Sequence, residues 1–550
     1  MKKLKGLRDR AYHVMFHTHT VAGIVISFAL FVIFYAGAFS LFKHELAQWE
    51  NQTLRQGYQE DFPIEKGLRK VDSLYAIDRD QQLFIKLPTE LNPLITISGT
   101  SQKTTADSTG NDFFQVHIGP SLEVIHKDDS QTTVGTTLYH LHYFRQLGLA
   151  GQFISGLIGL FFLFAIISGV LIHWTKLLTR FYAFIKEGAW KTIWTNAHTV
   201  LGILGLPFQI MYAVTGAFFG IVAIAFLPYL IFGDFDLNEA EKEISIYKKI
   251  QLDENASDYE HLDIGTLYQK VKEAYPSFTV KSVVMNHYGK EDAIANWYIE
   301  DYKGVSSRGT IAMYMKDGII LDEYTVFPYE KSYIQHVYNY SHALHFGTFG
   351  GYLIRVLFFI LSLLTCFMII SGVMIWRTAR DNKKYTLKQR RFHHNVTKWY
   401  LAICLSMFPA FAILFVANKL VPMAMTNRID MVNSIFFLSW LGLTIYGIFP
   451  SNYSKQNRNY LVIGGLLSLL VPITNGALTG DWIWVAWTPY PWVAYVDIFW
   501  LTTGILSLYA SFFLLKVKDT SDIPVELVNV HRTAKVIEPE ETRVLKPQVR

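Results

Sequence analysis

Apolar residues run in long blocks along this chain, and the polar residues gather between them. A block of 18 or more apolar residues is long enough to cross a bilayer as a helix, because about 20 residues at about 1.5 Å each span a hydrocarbon core of about 30 Å. Membrane helices are predicted over Thr20–Leu41, Phe153–Trp174, Val200–Leu227, Leu353–Trp376, Trp399–Val416, Val432–Phe449, Leu461–Ile473 and Val493–Leu515. The first is too long for a cleaved leader, and no small-residue cleavage site follows it. Two long polar insertions interrupt the apolar pattern. In the first, the spacing predicts a helix over Ile64–Tyr75 and strands over Leu83–Leu87, Leu94–Ser98, Phe113–Ile118 and Leu122–His126. In the second it predicts an amphipathic helix over Ile264–Ala274 and strands over Phe278–Met285, Trp297–Asp301 and Thr310–Met315, with Lys316-Asp-Gly318 as a tight hairpin turn. The Ser/Thr-rich stretch Gly99–Gly110 reads as a flexible hairpin tip. The fold class is a polytopic all-α membrane protein of about eight transmembrane helices, with an internal repeat and two small α+β domains outside the membrane.

Charge sets the orientation. Lys2, Lys3, Lys5, Arg8 and Arg10 precede the first helix; Lys176, Arg180, Lys186 and Lys191 join the second to the third; Arg377, Arg380, Lys383, Lys384, Lys388, Arg390 and Arg391 join the fourth to the fifth. Basic residues concentrate on the cytoplasmic side, so both polar insertions lie outside. Lys419 and Arg428, in one short outer loop, dissent mildly. The chain divides into a cytoplasmic N-terminus and first helix (1–42), a first outer domain (43–139), the second and third helices (140–227), a second outer domain (228–341), the fourth helix (342–377), a four-helix membrane region (378–515) and a cytoplasmic tail (516–550).

The membrane segments repeat. Phe16-His-Thr-His-Thr-Val-Ala-Gly23 recurs as Asn196-Ala-His-Thr-Val-Leu-Gly202. Setting His19 on His198 also sets Gly37-Ala-Phe39 on Gly216-Ala-Phe218 without a gap. Ile166-Ile-Ser-Gly-Val170 recurs as Ile369-Ile-Ser-Gly-Val373, and the same shift places His142 on His345. Internal repeats in membrane folds put functional sites at the repeat interface.

Composition adds little except through histidine. With 51% hydrophobic and 17% charged residues, the net charge of +5 is topological and gives no basis for nucleic-acid binding. The two cysteines, Cys366 and Cys404, sit in apolar helices and offer neither a disulfide framework nor metal-thiolate spacing. Histidines cluster at the helix ends: His13, His17, His19, His173, His198, His393 and His394 on the cytoplasmic side, and His44, His140, His142, His336, His342 and His345 on the outer side. Ionisable groups at membrane helices are costly, and a neutral imidazole is a good axial ligand for haem iron. His19 and His198 head equivalent helices, as His142 and His345 do on the other side. Each pair meets the need of a haem for two axial imidazoles, with Gly23 and Gly202 leaving room for a ring against the helix. That predicts two haems, one near each surface; the alternative for each histidine is an interfacial residue bonded to backbone or headgroups. His173, His394, His17, His44 and His342 are further candidates as ligands or neighbours of a ligand, and His140 stands beside them. His173 has no partner in the repeat, since Trp376 takes its place. No His-Glu-x-x-His, phosphate loop or dinucleotide fingerprint is present. The aromatic stretch Asp481–Trp492 reads as an interfacial belt, or as a docking face for an organic ligand.

The order of these motifs resembles the PepSY-associated transmembrane-helix proteins, the iron-regulated, iron-uptake PiuB-like membrane proteins. The matching residues are His19 with Gly23, His142, Ser168-Gly169, His198 with Gly202, His345 with Phe349-Gly350, and Ser371-Gly372, over roughly Ala11–Arg377. The chain departs from the simplest four-helix members in its last four helices and in His173, His393 and His394. The resemblance implies two periplasmic PepSY-like domains, a bacterial inner-membrane location, haem b as cofactor, and reduction of a ferric siderophore or another ferric chelate in the periplasm. It also implies an external electron donor, such as reduced flavin, an NAD(P)H-linked carrier or a quinol, because no cytoplasmic segment is long enough for a nucleotide domain. Two rivals are a haem-free iron or siderophore permease, which predicts an intramembrane charged pair, and a PepSY binding or regulatory protein without redox activity.

Overall fold

The computed structural model describes residues 9–55, 62–89, 92–102, 112–126, 132–174, 190–221, 252–253, 255–301, 308–327, 333–450 and 452–515. Lys2, Lys3, Lys5, Arg8, Lys176, Arg180, Lys186, the predicted helix end at 222–227, most of the hairpin tip (103–110) and the tail from 516 lie outside the described residues.

Four apolar elements form the repeat bundle: α1 (Asp9–Ser40), α5 (Gly148–His173), the pair α6 (Trp190–Leu204) and α7 (Leu206–Gly220), and α10 (Gly351–Arg380). They close a ring: α5 packs on α1 and α7, and α10 packs on α1 and α6. The third predicted span is not continuous, because α6 and α7 are bent by 70°. Pro207 in the first turn of α7 accounts for it: proline lacks an N–H and its ring crowds the preceding turn. Small residues let α5 approach α7 closely, Gly156 lying against Gly220 and Gly159 against Ala217.

The last four long helices are α11 (Leu387–Leu420), α12 (Arg428–Gly447), α13 (Tyr453–Thr479) and α14 (Pro491–Leu514). α11 starts well before its apolar run, since Thr386 and Gln389 form a reciprocal cap that anchors a polar first stretch. Among the described residues seven helices are long and apolar enough to cross a membrane, or eight if the bent pair is one span. The two halves share one hydrophobic core.

Short helices join the bundle to the sheet: α2 (Lys43–Glu50), α3 (Ile64–Tyr75), α4 (Val134–His142), α8 (Ile264–Ala274) and α9 (Tyr333–Phe346). The strands are β1 (Leu83–Lys86), β2 (Ile95–Ser101), β3 (Asp112–Ile118), β4 (Val124–His126), β5 (Thr279–Asn286), β6 (Ile294–Glu300) and β7 (Arg308–Tyr314). They form one antiparallel sheet in the order β4-β3-β2-β1-β5-β6-β7. The two insertions, expected as separate small domains, are thus joined through β1 and β5, with Leu83 opposite Met285 and Lys86 opposite Ser282. Their helices α3 and α8 cover one face of this sheet and share one core with it, including Leu68, Ile85, Leu267 and Trp297.

Polar contacts tie α10 and the region of the last four helices to the segment after α1. The Glu45 carboxylate pairs with Arg355 at 2.7 Å, and Asp481 pairs with Arg55. Trp49 Nε1 donates to Asp497 Oδ1 at 2.8 Å, and Asn475 Nδ2 donates to Asp497 Oδ2 at 2.7 Å. Lys419 Nζ donates to the Trp49 carbonyl at 2.6 Å. Buried ionisable groups are therefore present at the sheet end of this region, where the sequence shows no charged pair. In the aromatic connection, Trp482 and Trp484 stack and the Arg55 guanidinium lies 5.5 Å from the Tyr490 ring centre, while Trp484 stays largely exposed.

Candidate imidazole-pair sites

The bundle brings the repeated histidines together in two pairs. At the end far from the sheet, the His19 and His198 rings lie with centres 6.3 Å apart. His19 Nδ1 is 2.8 Å from the Ala165 carbonyl and 3.3 Å from Ser168 Oγ. His198 repeats the arrangement on α10, 2.9 Å from the Met368 carbonyl and 3.2 Å from Ser371 Oγ. A carbonyl oxygen only accepts, and each serine spends its own proton on a carbonyl of its helix. Both rings must therefore carry their proton on Nδ1, which leaves Nε2 as a lone-pair nitrogen. A second partner that fixes the tautomer in this way is the usual support of a ligating histidine.

At the sheet end His142 and His345 have ring centres 5.9 Å apart. His142 Nδ1 donates to the Ile33 carbonyl at 2.8 Å. His345 Nδ1 is 2.9 Å from Thr215 Oγ1, whose proton goes to the Met211 carbonyl at 2.7 Å. The proton again sits on Nδ1, and Tyr212 holds the backbone by donating to the His345 carbonyl at 2.8 Å. A cavity of about 350 Å3 opens beside this pair, lined in part by Gly37, Tyr139, Gly216, His342 and Phe346.

The ring-centre spacing of each pair is close to that of two imidazoles on a single metal. Two imidazoles at about 2.0–2.1 Å per Nε2, with about 1.2 Å from that nitrogen to the ring centre, place ring centres about 6.4 Å apart. Among the described residues no three His, Cys, Asp or Glu side chains converge on one point, so from these residue types each site draws its two imidazoles. That donor set fits a metal whose remaining positions are filled by a macrocycle. Open space faces Gly23 at one site and Gly216 at the other, where an added Cβ would meet nothing within 4 Å. Rings from all four repeat elements pack together next to the cavity beside His142 and His345, among them Phe34, Phe162, Phe208 and Phe358, and Phe34 and Phe162 also line it.

Gly202 has only Met368 Sδ near it, at 3.7 Å from an added Cβ, and three other glycines of the repeat have a role that the spacing does not predict. An added Cβ at Gly169 would sit 3.0 Å from His19 Cε1, at Gly372 3.1 Å from His198 Cε1, and at Gly37 2.6 Å from His142 Nδ1. The repeated Ser-Gly is thus the seat of the histidine on the neighbouring helix: hydroxyl for its proton, glycine for its ring. Sequence reasoning saw that repeat but not its target. Thr215 carried no signal at all, because Ala36 stands at its place in the repeat.

The other candidate histidines lie elsewhere. His17 is exposed on α1. His173 ends α5 at the His19 end of the bundle. His394 is bonded to the Tyr453 hydroxyl at 2.8 Å and stacked on its ring, and His393 packs edge-on to Trp376. His44 lies on α2 beside Lys43, where desolvation of the imidazole and then the nearby Lys86 ammonium lower its basicity. His342 accepts from Arg308 Nη2 at 3.1 Å and stacks on Phe346; burial, then the guanidinium, pushes its pKa down to about 3.

No curated protein matches this chain. The family comparison is positive: residues 16–379, well over half of the chain and including all four paired histidines, match the PepSY-associated TM region. This is a multi-pass membrane protein, and it belongs to that family.

Proposed function

We propose that this chain is a b-type haem protein of the bacterial inner membrane that passes electrons across the bilayer to a ferric siderophore or another ferric chelate. The observation that carries the reading is the pair of imidazole pairs, each with Nδ1–H tied down and Nε2 left as a ligand. His19 and His198 would hold one haem b, and His142 and His345 a second. Held between two imidazoles, such a group supplies a one-electron ferric/ferrous couple. The protein's own part is to fix both rings, keep the tautomers and exclude water with the phenylalanine cluster packed inside the bundle. The sites are offset along α1 by the stretch from His19 to Ile33, about 21 Å at about 1.5 Å per residue.

In this reading the termini are cytoplasmic, the His19–His198 end faces the electron donor, and the sheet is periplasmic, its two halves being PepSY-like units. The cavity beside His142 and His345 is then on the side of the ferric acceptor. Reduction would loosen the chelate's hold on iron and release it for uptake.

Absorption spectra of the purified protein, oxidised and dithionite-reduced, test this directly. A Soret band is expected that loses about half its intensity in His198→Ala and about half in His345→Ala, as one haem per pair requires. Absence of any haem signal from protein made with haem in supply would end the proposal.

A further inference from the structure

We infer that the crevice between the membrane helices and the sheet face turned away from α3 and α8, at the mouth of the cavity beside His142 and His345, binds a small polyanion through Lys43, Lys86, Lys281 and Arg308.

Strand register puts these cations together. Lys86 lies opposite Ser282, Ser282 opposite Tyr298, and Tyr298 opposite Thr310. Directly paired residues share a face, and so do residues two apart, so Lys86 and Arg308 stand on one face. The other face carries Ile85, Val283, Trp297 and Ile311, which are buried under α3 and α8. Lys281 falls where the register shifts between Val280 and Ser282, and its carbonyl accepts from Leu87 N at 2.9 Å, beside Lys86.

This face meets the cavity at two points. Arg308 Nη2 donates to His342, and Lys43 Nζ lies 4.7 Å from the centre of the Tyr139 ring. Both His342 and Tyr139 line the cavity. Among the described residues the nearby carboxylates are already engaged: Glu300 pairs with Arg308 and also acts on Lys281, and Glu45 is taken by Arg355. Among the described residues neither Lys43 nor Lys86 has an ion pair. Burial and the Lys86 ammonium both lower the basicity of Lys43. Like charges gathered in a crevice repel one another and raise the local concentration of anions. Aromatic faces at Phe84, Tyr143 and Tyr338 supply apolar walls.

The chemistry selected is a cluster of oxyanions on a compact body, which a carboxylate-rich ferric chelate presents. A phospholipid headgroup presents related oxyanions. As the acceptor site the crevice rests on the electron-conduit reading; as an anion site it rests on the cations alone.

Gallium(III) citrate separates the two, because gallium in this complex accepts no electron and only binding is read. The full chain in phosphatidylcholine nanodiscs should bind it by calorimetry, more weakly as salt is raised. Lys43→Gln, Lys86→Gln and Lys281→Gln together should weaken binding at least tenfold, whereas the three Lys→Arg changes should retain it. An uncharged gallium(III) trihydroxamate should bind more weakly than the citrate complex and be indifferent to the glutamines. Competition from added phosphatidylglycerol, abolished by the same glutamines, would assign the anion to a lipid headgroup. Unchanged binding in the triple glutamine variant, or equal affinity for the uncharged chelate, overturns the site. Loss of the haem proposal would leave every one of these readings in place.

Discussion

Replacing Glu50 by alanine removes a carboxylate that links the last four helices to an imidazole pair. The Glu50 side chain is fully buried. Its two oxygens accept from Thr133 N at 2.6 Å and Val134 N at 2.8 Å, capping the first turn of α4. Arg428, at the start of α12, holds the same carboxylate at 3.2 Å and is itself anchored by the Asn418 carbonyl at 2.6 Å. The far end of α4 is His142. Removing one partner of a buried ion pair typically costs about 3–5 kcal/mol, because the other charge is left without compensation. The uncapped N–H groups add to that, each costing about 1–3 kcal/mol if they stay dry. Taking the ion-pair term alone, at about 4 kcal/mol, as the lower bound, and about 2–4 °C per kcal/mol for domains of 150–250 residues, the melting midpoint should fall by on the order of 10 °C or more. Glu50→Gln with Arg428→Met removes both charges and keeps one acceptor, so the pair should fall by about half as much or less. Cys366 and Cys404 are both buried and free, so their reaction with a fluorogenic maleimide reports the melt. A midpoint within about 2 °C of the parent for Glu50→Ala would refute the argument, since a change below 1 kcal/mol is that of a solvent-exposed pair.

Gly37→Ala places a methyl 2.6 Å from His142 Nδ1 and should abolish the haem signal of that pair alone, while Gly169→Ala and Gly372→Ala should affect only the other. Gly23→Ala, with open space around it, should leave the maleimide melt of haem-free protein unchanged or raise it, as an added helical alanine does by about 1 kcal/mol, but should weaken the haem signal of the His19–His198 pair, whose ring that space would hold. Asp497→Leu strands the Trp49 indole N–H and the Asn475 amide, and should cost about 2–4 kcal/mol in the same melt. His342 titrates near 3 in the folded chain and near 6.5 when unfolded, so the unfolded state binds the extra proton between those values. Stability should therefore fall as pH drops from 6.5 towards 3, and His342→Gln should flatten that slope in melts recorded against pH.

Much of the architecture could be read from residue order because it is local. The helices at Ile64–Tyr75 and Ile264–Ala274 end where their amphipathic spacing ends, and seven of the predicted membrane runs sit within long helices. The eighth failed as a straight span although Pro207 was visible, because hydropathy over a window does not weigh one missing N–H. Strand existence was also local, but the β1–β5 pairing joins residues far apart in sequence, and no periodicity encodes it. Asp497 is a single charge in an apolar run, Lys419 reads in the sequence only as a charge of a short outer loop, and only packing shows that both face the Trp49 segment. At the candidate sites the repeat marked which histidines are equivalent. It could not show that the proton acceptors for His19 and His198 are Ala165, Ser168, Met368 and Ser371, since these lie on different helices.

The ladder between β1 and β5 also bears on what kind of passage this bundle allows. Its four residue pairs, from Leu83–Met285 to Lys86–Ser282, stitch the insertion that follows α1 to the one that follows α7. Carriers with repeated bundles work by rocking one repeat against the other, so that each end opens in turn. Here the repeats are sewn together at the sheet end, and opening there would have to unzip a sheet whose two halves share one core. Such a joint disfavours a hinge at that mouth and suits a cargo that crosses without the protein parting around it.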